Sequence, residues 1–108
     1  VVAFTDDLKK NGRMNDVLLF TFSEFGRRVA QNASNGTDHG TANNMFLISG
    51  GLKQKGILNP MPSLIDLKDG DLNYSVDFKN VYATIIDKWL NADTIKILGK
   101  KYDTLHFI

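Results

Sequence analysis

A chain of 108 residues has room for one domain with one modest core, and its formal net charge of +1 gives no electrostatic reason to expect nucleic acid or an anionic membrane as partner. Its 43% hydrophobic and 23% charged residues are those of an ordinary globular domain. The lack of cysteine excludes a disulfide framework and a thiolate nucleophile, and no apolar run nears the roughly 20 residues of a membrane-spanning helix.

In chain order, Val1, Phe4 and Leu8 share one helical face, and Asn11-Gly12 is the expected helix stop. This amphipathic pattern is entered partway, with no signal-like segment ahead of it, and reads as the continuation of a domain whose first half lies upstream. After Asp16, the run Val17-Leu18-Leu19-Phe20-Thr21-Phe22 is continuously apolar. Its length, aromatics and lack of alternation predict a strand covered on both faces. Met45-Phe46-Leu47-Ile48-Ser49 predicts a second such strand, ending at Gly50-Gly51.

Residues 31 to 44 between these strands are almost wholly polar or small, so they cannot supply the apolar stripe of a crossover helix and are expected to form a loop. Parallel neighbours need a crossover, so a pairing of the two strands is expected to be antiparallel. Pro60 and Pro62 mark a loop. Ser63 to Leu67 and Leu72 to Tyr74 flank Lys68-Asp69-Gly70-Asp71, which carries the Asp-Gly hairpin signal. The clearest helix is Phe78 to Leu90, where Phe78, Val81, Tyr82, Ile85, Ile86, Trp89 and Leu90 recur on one face, with Asp77 or Ser75 as cap. That stripe predicts core rather than a cofactor box. A short helical turn, Thr94 to Leu98, precedes Gly99. The expected fold class is α/β: a partial mixed β-sheet flanked by helices, within a single domain covering residues 1–108.

The stretch richest in chemistry is Thr21-Phe22-Ser23-Glu24-Phe25-Gly26-Arg27-Arg28, which puts a carboxylate and two guanidinium groups where an apolar strand runs out. In open α/β sheets, ligands bind outside the carboxyl ends of strands. An antiparallel return strand brings the loop before it, with Asp38-His39, to the same end as Glu24. A carboxylate and an imidazole suit zinc or a similar divalent ion, and arginine suits bidentate capture of phosphate or sulfate.

Thr21-Phe22-Ser23-Glu24-Phe25-Gly26 resembles the metal-binding strand end of alkaline-phosphatase-like hydrolases, and Gly36-Thr37-Asp38-His39-Gly40-Thr41-Ala42-Asn43 resembles their later histidine segment, after which an antiparallel strand follows. Val81 to Leu90 is similar to the terminal helix of sulfatases. The order of these motifs resembles most an uncharacterised branch of that superfamily, a domain of unknown function often exported by the twin-arginine route. The resemblance implies an exported alkaline-phosphatase/sulfatase-like protein of which this chain is the C-terminal segment, with metal-dependent hydrolysis of phosphate or sulfate esters in the full-length protein. It implies Glu24, His39 and Asp38 as ligands of a divalent metal such as zinc, and Arg27 or Arg28 as an anion clamp. Phe25 departs from the pattern, standing where the family has a metal-binding histidine, and the family's nucleophile belongs to the N-terminal half. The fragment alone is therefore expected to be inactive. The alternative is a degenerate site that binds an anionic or carbohydrate ligand, or another protein, without turnover.

Plainer roles compete for the same residues. Glu24 can pair with Arg27 or Arg28 across a helical first turn. Asp38 can be a ligand, an orienter of His39, or a turn residue. His106 stands alone and reads as surface or packing. No glycine-rich nucleotide fingerprint or phosphate loop is present. Missing neighbouring strands would leave open edges and apolar surface, so self-association of the isolated chain is expected.

Overall fold

The computed structural model describes residues 1–108. The chain runs through helix α1 (Val2–Lys10), strands β1 (Leu19–Phe20), β2 (Gly26–Gln31), β3 (Thr37–Gly40), β4 (Leu47–Ile48), β5 (Leu67–Lys68) and β6 (Asp71–Leu72), helix α2 (Phe78–Thr84), a π-helical turn (Ile85–Trp89) and helix α3 (Thr94–Leu98). The class is mixed α and β. The strands form three separate antiparallel pairs, β1–β4, β2–β3 and β5–β6. The expected mixed sheet is thus not formed: no pair is parallel, and the pairs do not join edge to edge.

The two apolar runs do meet in antiparallel register, with Leu19 opposite Ile48 and Phe20 opposite Leu47. Both strands are shorter than their apolar runs, and neither is enclosed on both sides. Phe20 and Leu47 pack toward the core, whereas Phe22 and Phe46 are 69% and 64% exposed. The larger correction concerns residues 31–44. They are not a loop but much of a hairpin, in which β2 and β3 close through Asn32 and Gly36.

Local signals explain the remaining elements. Gly12, at φ 65°, ends α1 in a reversal where the Arg13 amide donates to the Leu8 carbonyl and the Gly12 amide to that of Lys9. The 69–70 turn has positive φ at both central residues, 53° and 84°, as a two-residue hairpin with right-handed strand twist requires. Asp77, rather than Ser75, caps α2 by accepting from the Lys79 amide at 2.8 Å. Asp93 caps α3 in the same way, and Gly99 closes it at φ 79°.

The core is small and lies between α2, its π-helical continuation, the β1–β4 ribbon and the segment 105–108. Val81, Ile85 and Phe107 form its centre, packed by Leu18, Phe20, Leu47 and Leu105 among others. The expected helical stripe therefore holds at Val81, Ile85 and Ile86, but Phe78 and Leu90 at its ends are more than half exposed. Beyond Thr84 the helix widens, with the Leu90 amide donating to the Ile85 carbonyl at 3.0 Å and that of Ala92 to Ile86 at 2.9 Å. Thr84, fully buried, ties helix to tail: its hydroxyl donates to the Asn80 carbonyl at 2.6 Å and accepts from the Leu105 amide at 2.8 Å. The Lys53 amide donates in turn to the Phe107 carbonyl at 3.0 Å.

Helix α1 buries none of its residues. With a radius of gyration of 16.5 Å, against about 13 Å for a compact domain of ~100 residues, the molecule is spread out, and its two polar hairpins contribute only Gly26 to the buried set.

Candidate functional site

The site residues lie on the β2–β3 hairpin, whose shape depends on two glycines. Gly26 and Gly40 face each other across the ladder, and Arg27 faces His39. Gly26 is buried, and a side chain there would fall on the Ala42 carbonyl. A Cβ on Gly40 would lie 2.8 Å from the Arg27 carbonyl carbon. The two glycines thus let the segment leaving β3 cross tightly over the start of β2. Past Arg27 the register slips, and Gln31 faces Thr37. Asn32 builds the connection, its side-chain oxygen accepting from the Ser34 and Gly36 amides at 3.0 Å each, with Asn35 at φ 60°.

Polar side chains anchor the approach to β2. The Phe25 carbonyl accepts from the Ser23 hydroxyl at 2.8 Å and the Asn43 amide group at 3.2 Å. Thr21 exchanges bonds with Phe46, donating from its amide and accepting on its hydroxyl oxygen, each at 3.0 Å. Ser23 and Asn43 are thus positioning residues for Phe25, and Thr21 ties the preceding segment to Phe46. They lie within the quoted motifs, but the partner of each depends on how the two segments cross.

Opposed residues of a ladder share a face, so Arg27 and His39 project together. The Phe25 ring lies flat on His39, with centroids 3.8 Å apart and planes 19° apart, and the Arg27 guanidinium sits 5.8 Å from the Phe25 centroid. Arg27 uses Nη1 on the Thr37 carbonyl at 2.8 Å, and its other donors have no protein partner. Glu24, next to Phe25 in sequence, is exposed and forms no ion pair. The helical pairing of Glu24 with Arg27 or Arg28 is therefore absent, because residues 26–31 are extended.

The other two candidates belong to the opposite face. Arg28 follows Arg27 in a strand, so it points away from His39, and its Nε donates to Asp71 Oδ1 at 3.3 Å. Asp38 precedes His39 in β3 and accepts from the Asn32 amide group at 3.0 Å. It neither orients His39 nor shares its face. No three His, Asp or Glu side chains come together anywhere in the chain. Zinc usually takes three protein donors, so a site on Glu24 and His39 would need at least one more. Sequence reasoning missed Asp71 as the partner of Arg28. No local signal could have linked residues 43 positions apart.

Residues 1–98 match the family described as Protein of unknown function (DUF1501), and the chain belongs to that family. No curated protein and no solved structure matches the chain.

Proposed function

We propose that the Arg27–His39 face binds the anionic group of a phosphate or sulfate ester, as part of a larger, exported, alkaline-phosphatase-like hydrolase. The cross-strand pairing of Arg27 with His39 carries this reading, because it sets unused guanidinium donors beside an imidazole on one exposed face. A planar guanidinium with free N–H groups can grip two oxygens of an anion at once. In the full-length protein Glu24 and His39 would hold a divalent ion such as zinc, completed by donors outside these residues. Such an ion polarises an ester oxygen.

Stacking of Phe25 on His39 favours a second reading, a site that binds an anion without turnover. An aromatic ring lies flat against the imidazole at the position where the resemblance calls for another ligand. The test is turnover of 4-nitrophenyl phosphate and sulfate by metal-loaded full-length protein, beside His39→Ala and Arg27→Ala variants. Loss of about a hundredfold in the histidine variant supports hydrolysis. No turnover, but sulfate binding that Arg27→Ala weakens, supports the binder. Neither turnover nor anion binding overturns both. The isolated chain is also expected to self-associate, since Ile57, Met61 and Ile65 are 78–94% exposed and a net charge of +1 offers little repulsion. A monomer in sedimentation at high concentration would rule that out.

A further inference from the structure

The β2–β3 and β5–β6 hairpins dock against each other on the side away from His39. Arg28 reaches across to Asp71, and its guanidinium passes over the tight turn, so that a Cβ on Gly70 would lie 3.5 Å from Arg28 Nη1. A Cβ on Gly40 would lie 2.9 Å from Asp71 Oδ1, so the Asp71 side chain closes against the Gly40 backbone. Beside this junction lies an open cleft of about 560 Å³ whose lining includes Thr41, Lys68, Asp69, Leu72, Asn73 and Tyr74. Its volume falls within the range of small-molecule sites.

The lining defines a ligand chemistry different from that of the Arg27–His39 face. The lining carries one cation, Lys68, and two anions, Asp69 and Asp71, of which Asp71 is already engaged by Arg28 from outside the cleft, so the charges nearly balance. Its lining mixes apolar surface from Leu72 and the Tyr74 ring with polar groups, which suits a ligand that is itself part apolar and part polar. Tyr74 is 61% exposed at the cleft, and its hydroxyl has no protein partner. Asn73 uses its amide nitrogen on the Asp66 carbonyl at 3.0 Å, which leaves its side-chain oxygen free as an acceptor. Asp69 and Lys68 make no side-chain bonds of their own, and Asp69 is held outward by the turn at φ 53°. An aromatic plane beside unpaired acceptors, a hydroxyl and an ammonium group suits a ring with an apolar C–H face and a rim of hydroxyl groups.

We propose that the cleft between the two hairpins binds a neutral saccharide, with Tyr74 stacking on the sugar ring and Asp69, Asn73 and Thr41 hydrogen-bonding its hydroxyl groups. The test uses full-length protein on an array of neutral and sulfated oligosaccharides, with affinities for the neutral hits followed by saturation-transfer NMR. Neutral oligosaccharides bind, Tyr74→Ala weakens them about tenfold or more, and Tyr74→Phe stays within about twofold because the ring is kept. Asp69→Asn, which tolerates the same turn geometry, weakens binding several-fold. His39→Ala leaves neutral-saccharide binding unchanged, so failure of the ester site and failure of this cleft are told apart. The proposal is overturned by an absence of neutral-saccharide binding, by binding that Tyr74→Ala leaves intact, or by binding confined to sulfated sugars and lost in Arg27→Ala.

Discussion

The helical core and the paired hairpins are held together by different physics. Around Val81, Ile85 and Phe107, apolar side chains exclude water, and the one fully buried polar group, Thr84, has both its hydrogen bonds made. In the hairpins almost nothing is buried. Shape there comes from ladder bonds, the Asn32 turn, two facing glycines and a single cross-hairpin ion pair. Burial gives the core region a stable base, whereas exposed polar ribbons can present side chains such as Arg27, His39 and Tyr74 to ligands. The hairpins should therefore open locally long before the core unfolds.

Substitutions can break or sharpen this contrast. Phe107→Ala, at a side chain 2% exposed against Val81 and Ile85, should cost about 3–5 kcal/mol in urea denaturation of the full-length protein. A loss below about 1 kcal/mol would show that the segment 105–108 is not part of the core. Gly26→Ala should come next, at about 2–3 kcal/mol, because the new methyl group meets the Ala42 carbonyl rather than a side chain that can move aside. The same variant should weaken anion binding by displacing Arg27 from His39, a coupling that a core substitution should not show.

Thr84→Val keeps the volume but orphans the Leu105 amide, for an expected cost of about 2 kcal/mol. Thr84→Ser, which retains the hydroxyl, should recover part of that loss in the same titration. Arg28→Ala should have the smallest effect on global stability, below about 1 kcal/mol, since the Arg28 side chain is 41% exposed and the pair is screened by water. Its signature is local: faster amide hydrogen exchange at residues 67–72, with protection at Val81 to Ile86 unchanged. Uniform loss of protection across both regions would mean that hairpins and core unfold as one unit.

Some of this was legible residue by residue. The Asp69-Gly70 turn, the Gly12 and Gly99 stops and the Asp77 cap are encoded within a few positions, where steric limits and capping need no knowledge of distant chain. The core stripe of α2 was readable from its period, and so was antiparallel pairing of the two apolar runs, since nothing between them could form a crossover helix. Hairpin β2–β3 was not read, although Asn35-Gly36 is a hairpin signal, because its strands lack the apolar alternation that normally accompanies one. The candidate site was only half legible. Glu24, Arg27, Arg28, Asp38 and His39 stood out by residue type, but which of them act together was hidden.

The sequence alone determined the local geometry of this protein: helix ends, tight turns and the apolar face of its main helix, all set by forces that act over a few residues. Tertiary structure decided which side chains share a face. A strand alternates its side chains strictly, so the register of β2 against β3 joins Arg27 to His39 and sends Arg28 and Asp38 to the other side. Register follows from how distant segments cross, at Gly26 and Ala42 above all, and no local pattern carries that information.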